Sequence, residues 1–307
     1  MKELYDKLSA IVKKGSFLNE PMSKHTTFKI GGPADLLIIP RNIEDLKKVL
    51  SEISIAKIPY LIMGNGSNLL VSDAGIRGVV IKICGAMDKI KIDGTTVKAQ
   101  AGAYLGKLQS VCAKKGLSGF QFFSGIPSTV GGAIAMNAGS WGGTISLFLK
   151  NVTTLTKNAK VMELEKADCG FSYRSSNILK YGSIVLEAEF ELEKRDPSLI
   201  LAAQKEILKL KASSQPLDHP SAGCVFKNPP ACRQAGGKET AGKIIEQAGL
   251  KGEKIGDAQI SDVHANFIIN TGNASADDVM GLINRIKKVV LEKTGISLEL
   301  EIKTVGF

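Results

Sequence analysis

The sequence predicts a protein of the α+β class, in which helices and strands are mixed. Segments with the apolar period of an amphipathic helix alternate with short apolar runs that are typical of strands. The chain has 307 residues, of which 44% are hydrophobic and 23% charged, close to the averages of globular proteins. Because domains usually contain about 100–200 residues, we expect more than one domain.

Three amphipathic helices are predicted in the first half of the chain. Residues 1–15 combine apolar side chains at helical spacing with lysines and acidic residues, a pattern unlike that of a signal peptide. Asn42 is a suitable N-cap for a second helix, whose apolar positions recur every three or four residues as far as Ile53. A third helix, at residues 105–112, ends at Gly116 after a cationic last turn.

Three strands are predicted from short apolar runs. Residues 60–63 form an apolar run that enters a tight turn at residues 64–66, and residues 79–83 form a second run. In residues 184–192, apolar side chains alternate mainly with glutamates. This alternation predicts a half-buried strand with one carboxylate-rich face.

The last third of the chain is expected to form a separate unit. A domain boundary is predicted near residue 196, where a strand ends at a proline and a polar connection follows the next helix. Ser275 and Asp278 have the spacing of a capping box at the start of a long amphipathic helix. The predicted elements are helices at 199–211, 239–248 and after Ser275, and strands at 267–270 and 297–305.

Charge and cysteine content narrow the classes of function. The 40 Lys and Arg against 30 Asp and Glu give a net charge of +10, but basic residues are interspersed with acidic ones. This favours a small anionic ligand, such as a nucleotide, over a nucleic acid. The 5 cysteines form no CxxC pair and the 3 histidines are far apart, so no disulfide framework or metal site is predicted. With no apolar run near the ~18 residues of a membrane span, we expect a cytoplasmic protein.

Two glycine loops are candidate ligand-binding segments. The first, Gly64, Asn65, Gly66, Ser67 and Asn68, follows a strand and offers backbone N–H groups and polar side chains to a pyrophosphate. It lacks the third glycine of a dinucleotide fingerprint, so an ordinary turn remains the alternative. The second, residues 124–143, is rich in glycine and carries no charge, and we expect a ligand to cover it. Together they predict a large nucleotide cofactor.

Eight segments, in order along the chain, resemble the UDP-N-acetylenolpyruvoylglucosamine reductase family. They are KHTTFKIGGPAD, GNGSNLLV, SGIPSTVGGAIAMNAG, FSYRSS, SAGCVFKNP, AGKIIEQAGLKG, VHANFIIN and LELEIKTVGF. The resemblance implies an FAD-binding domain of the vanillyl-alcohol-oxidase type in two subdomains, residues 1–92 and 93–196, and a C-terminal α+β substrate domain, residues 197–307. The short span from Arg174 to Cys224 resembles the subclass that lacks an inserted substrate-capping element.

The same resemblance implies an activity and its cofactors. The enolpyruvyl group of UDP-N-acetylglucosamine enolpyruvate would be reduced to give UDP-N-acetylmuramate for peptidoglycan, with FAD as cofactor and NADPH as reductant. Besides these small molecules, the sequence predicts no nucleic-acid, membrane or obligatory protein partner.

Site residues are also implied by the resemblance. FAD would be held by Gly64 to Asn68 and by a second set, which is Ser124, Gly125, Pro127, Thr129, Gly131 and Ala138. The catalytic positions would be Arg174, Cys224 and Glu301. The substrate-binding positions would be Tyr173, Lys227 and Asn228.

The side-chain chemistry of each of these three residues suits its implied catalytic role. The planar, permanently charged guanidinium of Arg174 would stabilise the negative charge that develops on the substrate as an enolate. Glu301 would stabilise the same charge through a hydrogen bond or orient its neighbours. Most members of the family carry Ser at the position of Cys224. In this chain Cys224 would donate the proton, because a cysteine thiol, with an ordinary pKa of about 8.5, is mostly protonated at pH 7.

The residues by themselves leave alternatives open. A period of two puts Glu301 on the same strand face as Glu299 and Lys303, which indicates solvent. A lone cysteine such as Cys224 is more often a small buried apolar residue. His264 and Asn266, which precede an apolar strand, are interpreted as structural. The alternative functions are an oxidase or dehydrogenase on the same fold, and a nucleotide-sugar-binding relative without catalysis.

Overall fold

The computed structural model describes residues 2–230 and 239–307. Cys232, one of the cysteines considered above, lies outside the described residues. Packing divides the chain into two compact units, neither of which is continuous in sequence. Unit 1 is Met1–Leu18, Leu36–Asn65 and Gly78–Leu210, and unit 2 is Asn19–Asp35, Gly66–Arg77 and Lys211–Phe307. The domain boundaries predicted at 92/93 and 196/197 differ from the boundaries of these two units, and the three predicted domains stay a prediction.

The helices of the described residues are α1 (Lys2–Val12), α2 (Ile43–Ala56), α3 (Leu105–Lys114), α4 (Val130–Ala135), α5 (Asn177–Tyr181), α6 (Pro197–Ser214), α7 (Ala241–Gln247) and α8 (Ala276–Thr294). The strands are β1 (Ser16–Pro21), β2 (Pro33–Ile38), β3 (Tyr60–Met63), β4 (Leu69–Val71), β5 (Ile76–Lys82), β6 (Ile90–Asp93), β7 (Thr96–Gln100), β8 (Leu117–Ser118), β9 (Gly139–Ser140), β10 (Gly143–Thr144), β11 (Leu149–Leu155), β12 (Val161–Glu165), β13 (Ile184–Glu191), β14 (Glu193–Lys194), β15 (Lys254–Ile255), β16 (Ala258–Ile260), β17 (Ile268–Asn270) and β18 (Lys303–Val305).

The three helices predicted in the first half are confirmed as α1, α2 and α3. Asn42 caps α2 as expected, because its side chain accepts a 2.9 Å hydrogen bond from the backbone N–H of Asp45. The apolar face of α2 is buried in the core of unit 1. β3 runs parallel to β5, in a sheet of strand order β1-β2-β5-β3.

An antiparallel sheet of order β12-β11-β13-β7-β6 provides the second layer of unit 1. Its central strand β13 is the predicted strand at 184–192. One glutamate of its carboxylate-rich face, Glu189, is buried and lies 2.9 Å from the ammonium of Lys98 and 2.8 Å from that of Lys150. Hydrogen bonds from these two lysines lower the pKa of the Glu189 carboxyl. The free-energy cost of burying the Glu189 carboxylate is therefore offset by its pairing with the two lysines.

The second predicted glycine loop contains a helix. α4 forms inside it, with Thr129 as N-cap and the backbone of Gly131 packed against Ala101. Glycine disfavours helices by about 1 kcal/mol per residue, so local propensity did not predict this helix. Its packing against β13 supplies the missing stabilisation.

Unit 2 contains an antiparallel sheet of order β15-β16-β17 and the long helix α8. The predicted capping box of α8 is confirmed, since Ser275 and Asp278 each bond the other's backbone N–H. The predicted final strand at 297–305 is wrong in extent, because only Lys303–Val305 forms a strand, parallel to β4. Before it the chain pairs with a different segment, through an isolated bridge of Leu300 with Phe226, so no single partner strand accompanies the whole run.

None of the helices in residues 2–230 and 239–307 combines the length and apolarity that a membrane span requires.

Candidate active site

Gly64 and Asn65, the part of the first glycine-rich segment that lies in unit 1, approach the second segment. Gly64 follows β3, and a methyl group at this position would overlap the hydroxyl of Thr129. Thr129 is 2% exposed, and its hydroxyl accepts a 3.3 Å hydrogen bond from the backbone N–H of Gly132. Gly131 is equally restricted, since an added Cβ would lie 2.9 Å from the Cβ of Ala101. Glycine is therefore required at both positions by close approach of the backbone.

The side chain of Asn65 joins the two segments. Its Nδ2 donates a 2.8 Å hydrogen bond to the carbonyl of Pro127, and its Oδ1 lies 3.6 Å from the thiol of buried Cys84, which donates to it. A hydrogen bond with Cys84 and burial raise the pKa of Tyr104 to about 12, so this phenol stays neutral. The side chain of Asn65 thus positions the loop.

Backbone donors are available in the first glycine loop. In the part of the chain that the structure describes, the backbone N–H groups of residues 64–68 have no protein acceptor. Gly66 has a φ of +67°, a conformation that glycine adopts without strain. Successive N–H groups in such a turn form a concave binding site for anions, as a pyrophosphate requires.

A cavity of about 730 Å³ in unit 1 is lined by Gly64, Thr129, Gly131 and Gly132. Its lining also includes apolar residues of α2, β3 and β13 and two lysines, Lys57 and Lys157. This volume falls within the range of about 300–1,000 Å³ for small-molecule sites. The cavity therefore fits a nucleotide with an apolar part and an anionic part.

The other predicted cofactor positions lie along the second segment. Gly125 has a φ of +76°, which only glycine adopts without cost. The hydroxyl of Ser124 is buried and donates a 2.7 Å hydrogen bond to the carbonyl of Gln121. The backbone N–H of Ala138 donates to the carbonyl of Ala133. The Ser124 hydroxyl therefore stabilises the segment itself.

Arg174 occupies a strained position in a tight turn of unit 1. Ser172 and Ser175 exchange backbone hydrogen bonds of 3.0 and 3.2 Å, with Tyr173 and Arg174 between them. Arg174 has a φ of +54°, which costs a residue with a Cβ about 1–2 kcal/mol. Its guanidinium carbon lies 5.1 Å from the centroid of the Tyr173 ring, within reach of a cation–π interaction. Strain of this kind is concentrated at functional sites.

Unit 2 brings Cys224 and Glu301 onto neighbouring segments. Cys224 pairs with Phe267, and the next residue, Val225, accepts a 2.8 Å hydrogen bond from the backbone N–H of Glu301. Asn68, predicted to contact the cofactor, donates through its side chain to the carbonyl of Glu301 at 3.1 Å. Glu301 is half-buried rather than solvent-exposed, contrary to the period-two pattern, because the strand is interrupted here. Arg174 belongs to unit 1, whereas Cys224 and Glu301 belong to unit 2.

Asn266, interpreted from the sequence as structural, fixes the Cys224 segment. Its side-chain oxygen accepts from the backbone N–H of Phe226 at 2.9 Å, and its Nδ2 donates to the Phe226 carbonyl at 2.8 Å. His264, interpreted from sequence as structural, accepts from the N–H of Asn266 through Nδ1 at 3.2 Å. No local pattern distinguishes such an asparagine from an ordinary loop residue.

The predicted substrate residues of unit 2 have protein contacts of their own. The ammonium of Lys227 lies 3.3 Å from the carboxylate of Glu299. Asn228 accepts a 3.0 Å hydrogen bond from the N–H of Ala241 at the start of α7. Among the described residues, no group of three or more His, Cys, Asp or Glu is placed to hold a metal ion.

Comparison with known families accounts for both parts of the chain. The family described as "FAD binding domain" matches residues 34–165. The family described as "UDP-N-acetylenolpyruvoylglucosamine reductase, C-terminal domain" matches residues 215–305.

Curated relatives and a solved structure match over almost the full length. The UDP-N-acetylenolpyruvoylglucosamine reductase of Caldanaerobacter subterraneus subsp. tengcongensis is 46% identical over 304 residues, which is 99% of this chain and 98% of the relative. That of Clostridium tetani is 43% identical and covers 94% of this chain and 91% of the relative. The crystal structure of the Thermus caldophilus enzyme is 36% identical, with a TM-score of 0.79 over 94% of this chain and 98% of that one.

The cavity, the close approach at Gly64 and the backbone donors of Gly64 and Asn65 fit FAD, and with the matched domain they define an FAD-binding protein. The predicted fold class is confirmed as an α+β protein with an FAD-binding domain and a C-terminal domain of the reductase family. The chain belongs to the UDP-N-acetylenolpyruvoylglucosamine reductase family and is an FAD-dependent oxidoreductase.

Proposed function

We propose that this enzyme reduces the enolpyruvyl group of UDP-N-acetylglucosamine enolpyruvate to UDP-N-acetylmuramate, with NADPH as reductant, in cytoplasmic peptidoglycan synthesis. The observation that carries the proposal is the 2.8 Å hydrogen bond from the Glu301 N–H to the Val225 carbonyl. This bond supports the proposal because Cys224, the candidate acid, and Glu301, the candidate carboxylate, lie on adjacent backbone segments of unit 2, and protonation after hydride addition needs an acid.

The glycine-rich segments of unit 1 would hold the cofactor. The backbone donors of Gly64 and Asn65 are suited to its pyrophosphate, and the absence of side chains at Gly64 and Gly131 allows it to approach the backbone. When bound, FAD supplies the chemistry of accepting a hydride from NADPH and passing it to the vinyl CH₂ carbon of the substrate.

Arg174 would stabilise the negative charge that this addition leaves on the substrate. The charge is conjugated into the carboxylate as an enolate, and a guanidinium presents a planar pair of donors to such a group. A donor aimed at developing charge is typically worth about 3 kcal/mol. The left-handed backbone of Arg174 and the stacked Tyr173 ring hold the guanidinium in one orientation before substrate binds.

Cys224 would complete the reaction by transferring the proton on its Sγ to the carbon that bears the ether oxygen. Its backbone is fixed on both sides, by the bridge to Phe267 and by the paired amide of Asn266. Glu301, on the neighbouring segment, would stabilise the enolate or orient the substrate. Tyr173, Lys227 and Asn228 would line the substrate site, with the Lys227 ammonium available to the diphosphate.

The test follows the two half-reactions separately in FAD-loaded protein under anaerobic conditions. NADPH should bleach the visible flavin absorbance, and UDP-N-acetylglucosamine enolpyruvate should restore it. Bleaching without recovery would contradict the substrate, and absence of flavin binding would contradict the cofactor. Cys224→Ala should slow the second step and spare the first, while Cys224→Ser should retain it. Equal rates of recovery in wild type and Cys224→Ala would contradict the role of Cys224 as proton donor.

A further inference from the structure

Thr27 lies in a tight loop of unit 2, within the first of the eight family motifs. The loop is closed locally, because the hydroxyl of Thr26 donates a 2.9 Å hydrogen bond to the carbonyl of Ile30. The next side chain, that of Phe28, is fully buried in the core of unit 2. The backbone of Thr27 is therefore held on both sides, and its half-buried side chain is not needed to close the loop.

The hydroxyl of Thr27 bonds a segment that is 194 residues further along the chain. It donates a 2.7 Å hydrogen bond to the carbonyl of Ser221, which lies just upstream of Cys224 in the same motif. Within residues 2–230 and 239–307, no backbone N–H donates to this carbonyl, so the Thr27 hydroxyl supplies its hydrogen bond. The start of the Cys224 segment therefore depends on a side chain from the Thr27 loop.

Asn270 joins the same two segments at a neighbouring point. Its backbone N–H donates a 2.9 Å hydrogen bond to the carbonyl of Pro220, and its side-chain Nδ2 donates at 3.2 Å to the carbonyl of Phe28. Downstream of Cys224 the chain is fixed again, since the N–H of Val225 donates to the carbonyl of Asn266 at 2.8 Å. The segment that carries the Cys224 thiol is thus held at both ends.

Thr27 also contacts the first glycine loop. Its backbone N–H donates a 3.4 Å hydrogen bond to the carbonyl of Gly66, which belongs to the part of that loop in unit 2. One residue therefore bonds the loop assigned to the cofactor through its backbone and the segment of the candidate acid through its side chain. The two contacts are separable, because a substitution can remove the hydroxyl and leave the N–H in place.

We propose that Thr27 is a positioning residue for the transfer of the proton from Cys224. Its hydroxyl fixes the Cys224 segment relative to the first glycine loop, so that the thiol keeps one place with respect to the reacting carbon. Accurate placement matters, because a displacement of about 1 Å costs on the order of 100-fold in rate. The consequence for catalysis rests on the proposed function, whereas the hold of Thr27 on the Cys224 segment does not.

The first test needs no substrate and measures how fast iodoacetamide alkylates Cys224 in FAD-loaded protein, with the modified peptide quantified by mass spectrometry. Thr27→Val should raise this rate about 5-fold, because the segment opens more often when a hydrogen bond is lost. Thr27→Ser keeps the hydroxyl and should behave like the wild type. Thr26→Val is the matched control, since it removes a similar hydrogen bond that stays within the loop. An unchanged rate in Thr27→Val, or an equal rise in Thr26→Val, would overturn the inference.

The second test follows the two half-reactions of the FAD-loaded enzyme. Thr27→Val should slow flavin reoxidation by substrate about 5-fold, leave bleaching by NADPH unchanged and increase the deuterium solvent isotope effect on reoxidation, because proton transfer becomes the slower step. It should have little further effect in a Cys224→Ala background. Equal losses in both backgrounds would contradict action through Cys224. If the wild-type enzyme does not turn over this substrate, the proposed function fails, whereas the alkylation rates still decide whether Thr27 holds the Cys224 segment.

Discussion

The side chain of Asn65 donates a 2.8 Å hydrogen bond to the carbonyl of Pro127, 62 residues further along the chain. This bond connects the loop after β3 to the start of the second glycine-rich segment, and the thiol of Cys84 holds the other end of the same amide. The two segments that line the cavity of unit 1 are thus held in register by one asparagine.

Asn65→Ala should weaken FAD binding by about 5-fold while leaving the protein folded, because one hydrogen bond of about 1 kcal/mol no longer fixes the loop and the thiol of Cys84 loses its acceptor. The measurement is a fluorescence titration of apoprotein with FAD. Asn158→Ala, at an exposed position of unit 1, is the control and should bind FAD like the wild type. FAD affinity of Asn65→Ala equal to that of Asn158→Ala would contradict the positioning role of Asn65.

Gly64→Ala should lower both FAD affinity and the free energy of unfolding of apoprotein, by about 1 kcal/mol for the latter. The new methyl group overlaps the Thr129 hydroxyl and forces it away from the N–H of Gly132, which removes the cap of α4. Urea denaturation measures the stability change. In a Thr129→Ala background the same substitution should have a smaller effect on FAD binding, because the overlapping atom is gone.

Gly106→Ala is the matched control for Gly64→Ala. Gly106 lies in α3, and an added Cβ would have no neighbour within 4 Å. Alanine should therefore stabilise the protein by about 0.5–1 kcal/mol through helix propensity. If Gly64→Ala were as harmless as Gly106→Ala, close packing at Gly64 would not be the reason for glycine there.

Glu299→Gln should lower the KM for the UDP-linked substrate a few-fold, because it frees the Lys227 ammonium, 3.3 Å away, from a competing carboxylate. Glu299 is exposed, and pairs of this kind contribute only about 0–1 kcal/mol, so the effect on stability should be small. Glu253→Gln breaks a comparable pair with Arg285, also at 3.3 Å, and should leave KM unchanged. An equal KM in both variants would remove Lys227 from the substrate site.

His264 should make the protein less stable in mild acid. Burial lowers the pKa of its imidazole below the ordinary value of 6.5, and its Nδ1 accepts from the N–H of Asn266 only when unprotonated. Below pH 6.5 the unfolded chain therefore binds a proton that the folded chain does not, so the free energy of unfolding is constant above this pH and falls below it.

This loss is measured by urea denaturation of wild type and His264→Gln between about pH 7.5 and about pH 5. The range is chosen because it brackets the ordinary pKa of an imidazole. The variant should lose less stability than the wild type as the pH falls. His219→Gln, which changes a partly exposed histidine, should behave like the wild type. Identical slopes in all three proteins would show that His264 does not contribute to acid sensitivity.

Helices with long amphipathic patterns were predictable from the sequence because their signals are local. The cap of α2 by Asn42 and the capping box of α8 follow from residues only three positions apart, and the structure confirms both. The family and its FAD-binding domain were recognisable because eight motifs occur in order, and the comparisons confirm them.

Short-range patterns failed where distant residues decide the structure. The glycine-rich sequence of α4 has weak helix propensity, and only the contact of Gly131 with Ala101 and packing on β13 make it helical. The strand predicted at 297–305 is divided because its two parts pair with Phe226 and with β4, which are far apart in sequence. Pattern alone does not specify a partner strand.

The sequence by itself determined the α+β class, the main helices and the residue types available for chemistry, since these depend on periodicity, capping and motifs within a few residues. Only the tertiary structure decided how those residues are held: the left-handed turn of Arg174, the pairing of the Cys224 segment with Glu301 and Asn266, and the hydrogen bond from Thr27 to Ser221. The physical reason is that buried polar groups must find partners, and those partners come from segments that are distant along the chain.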